Sequence, residues 1–124
     1  MIKHVAFFAY PVTDVARARA FYEGFLALKV DMAHEIPNMP GVWWIEYDVA
    51  GVTIAISNAW APSGQSGPSV AFEVDDLDAF LQKAQSAQVT VAFPPMDSPI
   101  CRFFGLKDPD GNDITIHQAK HLHA

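Results

Sequence analysis

Two stretches of this chain recur about sixty residues apart, and the recurrence limits the fold more than any other feature. Val12-Thr13-Asp14-Val15 matches Val74-Asp75-Asp76-Leu77 at an offset of 62. Gly51-Val52-Thr53-Ile54-Ala55-Ile56 matches Gly111-Asn112-Asp113-Ile114-Thr115-Ile116 at an offset of 60. A period of this size means one supersecondary unit built twice.

The elements around the repeats agree with that reading. "HVAFFAY" is rich in aromatic and β-branched residues and reads as a strand. Thr13 or Asp14 can cap the helix "DVARARAFYEGFLAL", where Val15, Ala18, Tyr22 and Phe25 share one face. A polar segment with Pro37, Pro40 and Gly41 follows, and "VWWIEYDV" and "VTIAIS" then flank Ala50-Gly51 as a hairpin. "NAWAPSGQSGPS" is the linker candidate. After it come the strand "SVAFEV", the helix "DDLDAFLQKAQSAQ" with Leu77, Phe80, Leu81 and Ala84 on one face, the short strand "VTVAFPP", and "CRFFGLK" and "NDITIHQ" around the turn "DPDG". Each half reads strand, helix, three strands. The expected fold is α+β: two βαβββ modules forming a curved mixed sheet around a cleft, with the helices outside. Module 1 covers residues 1–58, the linker 59–67, module 2 68–119 and a tail 120–124.

Composition narrows the function. At 124 residues and 51% hydrophobic, the chain can bury a core. A net charge of −6 argues against a nucleic-acid groove, which needs clustered Lys and Arg, and against an anionic membrane surface. No apolar run approaches the roughly 20 residues of a membrane span. The N-terminal stretch has no small-residue cleavage site and turns amphipathic at once, so it reads as a strand and not a leader. Cys101 is alone and cannot form an internal disulfide, which makes a reducing cytoplasm the expected location. In the DPDG turn, Pro109 presets its own backbone angle and Gly111 can take a positive φ, so Asp108, Asp110 and Gly111 read as a register device.

The order of elements, with "FFAYPVTDVARARAFYEGFLAL" at the start and "KDPDGNDITIHQ" at the end, resembles the vicinal oxygen chelate superfamily. That group includes glyoxalase I, bleomycin-resistance proteins, fosfomycin-resistance enzymes and extradiol dioxygenases. The resemblance implies a homodimer. It also implies metal ligands at four positions, which here hold Phe7, Ala55, Ser69 and Thr115. Phe and Ala cannot ligate, and neutral hydroxyls alone bind weakly. His4 resembles the histidine that opens the first strand of metal-dependent relatives but lies three residues too early, a shift that reverses the face. No cofactor is therefore expected, with a divalent metal as the minority alternative.

Alternation assigns the faces. Ile114 and Ile116, with Val52, Ile54 and Ile56, go to the core. The expected cleft lining is Phe7, Trp44, Glu46, Ala55, Ser57, Ser69, Glu73, Thr115 and His117. Apolar walls with a few polar groups suit a small-molecule ligand. The leading expectation is a glyoxalase/bleomycin-resistance-like protein without the family's metal ligands, binding a small organic molecule by sequestration. The alternative is a lyase, isomerase or dioxygenase with a displaced metal site (His4, Glu46, Glu73, His117) or metal-free acid–base chemistry. Glu73, His117 and Glu46 are the catalytic candidates in that case.

Overall fold

A computed structural model describes residues 1, 3–65 and 67–120. The tail histidines His121 and His123 lie outside the described residues. The chain forms two compact units, Met1–Gln65 and Ser66–Ala124.

In the first unit, β1 (Phe8–Pro11) leads into α1 (Val15–Arg19), a π-helical stretch Ala20–Phe25, and then β2 (Lys29–Glu35), β3 (Trp43–Val49) and β4 (Val52–Ser57). The sheet order is β1-β4-β3-β2, with β1 parallel to β4. The second unit repeats this with β5 (Val70–Glu73), α2 (Leu77–Ser86), β6 (Val91–Asp97), β7 (Cys101–Lys107) and β8 (Asp113–Ala119), in the order β5-β8-β7-β6. Both units are βαβββ, and the fold is α+β. Register follows the sequence repeat: Phe8 pairs with Ile54, and Val70 with Ile114, which are shifts of 62 (70 − 8) and 60 (114 − 54). One closing bond is shared as well. Val12 N donates to Ser57 O and Val74 N to His117 O, each at 2.9 Å.

The aspartate ahead of each helix explains where the helix starts. Asp14 accepts from Arg17 N at 2.9 Å and Asp76 from Ala79 N at 3.0 Å, satisfying a first-turn amide that has no partner within the helix. The first helix differs from the uniform α-helix expected over 14–28. After Arg19 it widens, and Leu26 N bonds to Phe21 O, five residues back. Ala27, at φ +58°, then ends it. Tyr22 stacks on Tyr47 with centroids 6.0 Å apart, and Ile45, Ile54 and Ile56 complete the buried side of this sheet. In the second unit the core is Leu77, Ala84, Phe104, Leu106, Ile114 and Ile116. Phe80 and Leu81, expected beside Leu77 and Ala84, are half-buried.

Two expectations need correction, and the strand that the repeat implied after the first helix gains its bounds. The first strand begins at Phe8, so His4 to Phe7 precede it as exposed, irregular chain. Val52, assigned to the core by alternation, is 49% exposed because it pairs with Val49 beside the hairpin turn, where the core side has run out. The polar segment after the first helix contains a strand, β2. It forms the sheet edge and is exposed along nearly its whole length, so it lacks the alternation that marks a half-buried strand. Asp31 bulges out of its register. The prolines of β6 fit for a similar reason, since an edge strand can tolerate residues without an amide donor.

The DPDG turn is built on Asp108, which is 4% exposed. Its Oδ1 accepts from Asp110 N and Asn112 N, both at 2.8 Å, and its Oδ2 from Asn112 Nδ2 at 2.7 Å. Gly111 takes φ +82°. Among the described residues no helix is long and apolar enough to cross a membrane.

Candidate functional site

In each unit the helix covers one face of the sheet, and the expected lining residues belong to the other. In the first unit Tyr47 stacks on Tyr22 of the helix and its hydroxyl donates to Glu23 at 2.9 Å. Side chains alternate along β3, so Trp44 and Glu46 project from the opposite face. Their ladder neighbours there are Ser57 and His34 for Trp44, and Ala55 and Met32 for Glu46. Phe7 meets Trp44 edge to face, with centroids 5.1 Å apart at 80°. The Trp44 indole Nε1 donates to Glu46 Oε2 at 2.7 Å. One aromatic wall, with its indole held by a carboxylate, results from these contacts.

Ala55 and Ser57 do not offer atoms to a ligand in the way expected, because both are buried. The Ser57 hydroxyl donates to Trp43 O at 2.7 Å and accepts from Ala59 N at 3.1 Å, so it secures the end of the strand.

In the second unit Gln118 Oε1 accepts from Leu77 N at 2.9 Å, and Arg102 holds Asp78 with two bonds. These contacts place the helix on the even-numbered side of β7 and β8. Thr115 and His117 therefore lie on the other side, beside Ala71 and Glu73 of β5. His117 Nδ1 is 2.5 Å from Glu73 Oε1, and Glu73 Oε2 accepts from Ala119 N at 2.7 Å. Both remain accessible, the His117 side chain at 33% and Glu73 at 58%. Phe103 pairs with His117 from the far strand and packs edge to face against Phe93. Ser69 is exposed just before β5. Cys101 opens β7, half-buried, with Sγ 3.3 Å from Ser98 Oγ, while Arg102 turns to the helix side.

Of the nine residues expected to line one cleft, two sets meet within the units: Phe7 with Trp44 and Glu46, and Glu73 with His117. Sequence reasoning missed Phe103, His34 and Met32. Phe103 shares its parity with Cys101 and Gly105, but only the β7–β8 register reveals that it meets His117. Nothing marked His34 and Met32, because their strand carried no alternation.

The sequence model of the Glyoxalase/Bleomycin resistance protein/Dioxygenase superfamily matches residues 2–116. The chain belongs to this superfamily. Among solved structures, it resembles TnmS3, an antibiotic binding protein from Streptomyces sp. CB03234, at 27% identity and TM-score 0.76, covering 96% of this chain and 98% of that one. Two further likenesses show the fold alone. UcmS2 is 21% identical with TM-score 0.77, covering 94% and 98% of the two chains. The fosfomycin resistance protein FosX from Mesorhizobium loti is 18% identical with TM-score 0.74, covering 94% and 92%. No curated protein matches the chain.

The four positions at which the superfamily resemblance implies metal ligands do not hold a divalent-metal donor set. Phe7 packs on Trp44, Ala55 is buried, and only the hydroxyls of Ser69 and Thr115 supply lone pairs at the four positions. Among the described residues, no group of three or more His, Cys, Asp and Glu side chains could hold a metal ion. His4, offered as a replacement ligand, sits in the irregular chain before β1.

Proposed function

We propose that this protein binds a small organic molecule of the antibiotic type by sequestration, without a metal. One observation carries the reading: where the superfamily resemblance implies a ligand atom for a metal, Phe7 forms an aromatic wall with Trp44. The indole is oriented by Glu46, so its face is preorganised for a planar or cationic group. The likeness to an antibiotic binding protein at 27% identity supports the same use of the fold. A homodimer, a cytoplasmic location and the absence of nucleic-acid partners belong to this reading.

Calorimetry of chelator-treated protein against a panel of aromatic antibiotics tests it. The expected result is binding that added Zn, Ni, Mn or Fe leaves unchanged, with Trp44→Ala weakening it by about 0.5–1.5 kcal/mol. Stoichiometric metal by elemental analysis, together with loss of binding when it is removed, would overturn the proposal. A dimer is checked by sedimentation.

A second reading is favoured by the Glu73–His117 hydrogen bond. A carboxylate-oriented imidazole suits a general base, as a metal-free lyase or isomerase would need. Turnover that survives in the Glu73→Ala/His117→Ala double variant would exclude it.

A further inference from the structure

The Glu73–His117 pair is not required by the module that carries it. The repeat offsets of 62 and 60 put Pro11 and Ser57 at the equivalent positions of the first unit, and these residues pair across β1 and β4 as Glu73 and His117 pair across β5 and β8. The first unit makes the same closing backbone bond without any titratable pair: Val12 N to Ser57 O, against Val74 N to His117 O. The sheet therefore closes whichever residues stand there, and the acid–imidazole couple is an addition to it.

The couple has a definite polarity. A carboxylate only accepts, so in the neutral imidazole the 2.5 Å contact puts the proton on His117 Nδ1 and leaves Nε2 as the lone-pair atom. Glu73 is itself held, because its second oxygen accepts from Ala119 N at 2.7 Å. The nearby cations each hold a carboxylate of their own: Arg102 is engaged by Asp78, Lys107 by Asp113 and Lys120 by Asp97. The neighbours on the same face are an aromatic ring, Phe103, braced by Phe93, and the Thr115 hydroxyl two residues back along β8. Cys101 lies on this face too, with its Sγ against Ser98 Oγ.

We infer that this pair takes the proton of an acidic hydroxyl on the bound molecule, so that the second unit recognises phenols or enols. The ligand O–H bond breaks, its electron pair stays on oxygen, and the proton forms an N–H bond at His117 Nε2. The resulting imidazolium is stabilised by the Glu73 carboxylate, and the oxyanion remains beside it as an ion pair. His117 contacts the ligand; Glu73 is a positioning residue. This rests on the small-molecule reading and names the class of molecule within it.

The test titrates the full chain with 4-nitrophenol, whose visible spectrum distinguishes phenolate from phenol, at a pH where the free probe is mostly neutral. The expected result is a phenolate band on binding, lost in His117→Gln and shifted toward neutral phenol in Glu73→Gln. Both side chains are accessible, and the closing bond is main-chain, so the variants should keep the fold, which circular dichroism checks. 4-Nitroanisole, the same ring without the O–H, should bind more weakly and be indifferent to His117→Gln. Bound 4-nitrophenol that stays neutral, a phenolate band unchanged in His117→Gln, or no binding of 4-nitrophenol each overturns the inference. Equal binding of the anisole overturns it too while leaving the ligand-binding reading standing, which a negative antibiotic panel would remove.

Discussion

Gly105 shows how strongly one position in the second unit is constrained. A Cβ there would meet the Phe93 ring at 2.3 Å, far inside van der Waals contact. The strand runs directly under an aromatic ring, which itself braces Phe103. Gly105→Ala should destabilise by about 1–3 kcal/mol, as overpacking does. In urea unfolding, Phe93→Ala/Gly105→Ala should cost less than the sum of the single changes, because removing the ring relieves the clash. Strict additivity would show that the ring is free to move aside. The DPDG turn is a residue-scale matter as well. Losing the buried Asp108 carboxylate leaves the amides of Asp110 and Asn112 without their acceptor, so Asp108→Ala should cost about 2–3 kcal/mol in the same measurement. Asp108 and Gly111 were legible as a register device from sequence, since Asx and Gly chemistry is local. Gly105 was not, because its reason lies on another strand.

The π-helical stretch Ala20–Phe25 joins its sheet through a polar chain at the element scale. Arg19 Nε donates to Glu23 Oε2 at 2.6 Å, and the Tyr47 hydroxyl donates to the same oxygen at 2.9 Å. Burial pulls the Glu23 carboxyl up, but the hydrogen bonds from Arg19 and Tyr47 outweigh it and leave it below its ordinary 4.5. Burial and the bond to Glu23 push the Tyr47 hydroxyl well above its ordinary 10.0. The two signs differ in consequence. The Glu23 contribution to stability is present above about pH 4.5 and fades as pH falls through its lowered value. The Tyr47 contribution is present below about pH 10 and fades as pH rises further, because the unfolded chain then gives up a proton that the fold retains. Urea unfolding across pH should show a shallower acid-side fall for Glu23→Gln and a shallower alkaline-side fall for Tyr47→Phe. An alkaline limb unchanged in Tyr47→Phe would show that the fold holds the Tyr47 proton no more firmly than the unfolded chain does. Helix starts were legible here because Asp14 and Asp76 cap by short-range geometry. The π turn was not, since one extra residue per turn leaves the apolar spacing of Val15, Ala18 and Tyr22 unchanged. The β2 strand was implied by the repeat, yet its residues could not be placed by pattern.

At the scale of the whole molecule, the chain divides into two units with the same strand order, and the Gly-, Ser- and Pro-rich segment between Ser57 and Val70 contains no helix or strand among the described residues. Ala59, Trp60 and Ala61 are exposed within it. Limited proteolysis with subtilisin should therefore cut there before it cuts either sheet, giving two fragments near half the chain. First cuts inside β3 or β7 would contradict that order of stability.

By itself the sequence determined the duplicated βαβββ plan, the capped helices, the DPDG turn and the alternating faces of β3, β8 and most of β4. Those features depend on short-range backbone chemistry and on periods of two and 3.6, which a single chain displays openly. Only the tertiary structure decided which side chains from different strands meet. Strand register brought Glu73 to His117 and His117 to Phe103, the chain ahead of β1 carried Phe7 to Trp44, and the Ser57 hydroxyl turned inward to Trp43. Contacts between residues 44 positions apart, as Glu73 and His117 are, depend on how two strands align, and no local pattern in either strand records that alignment.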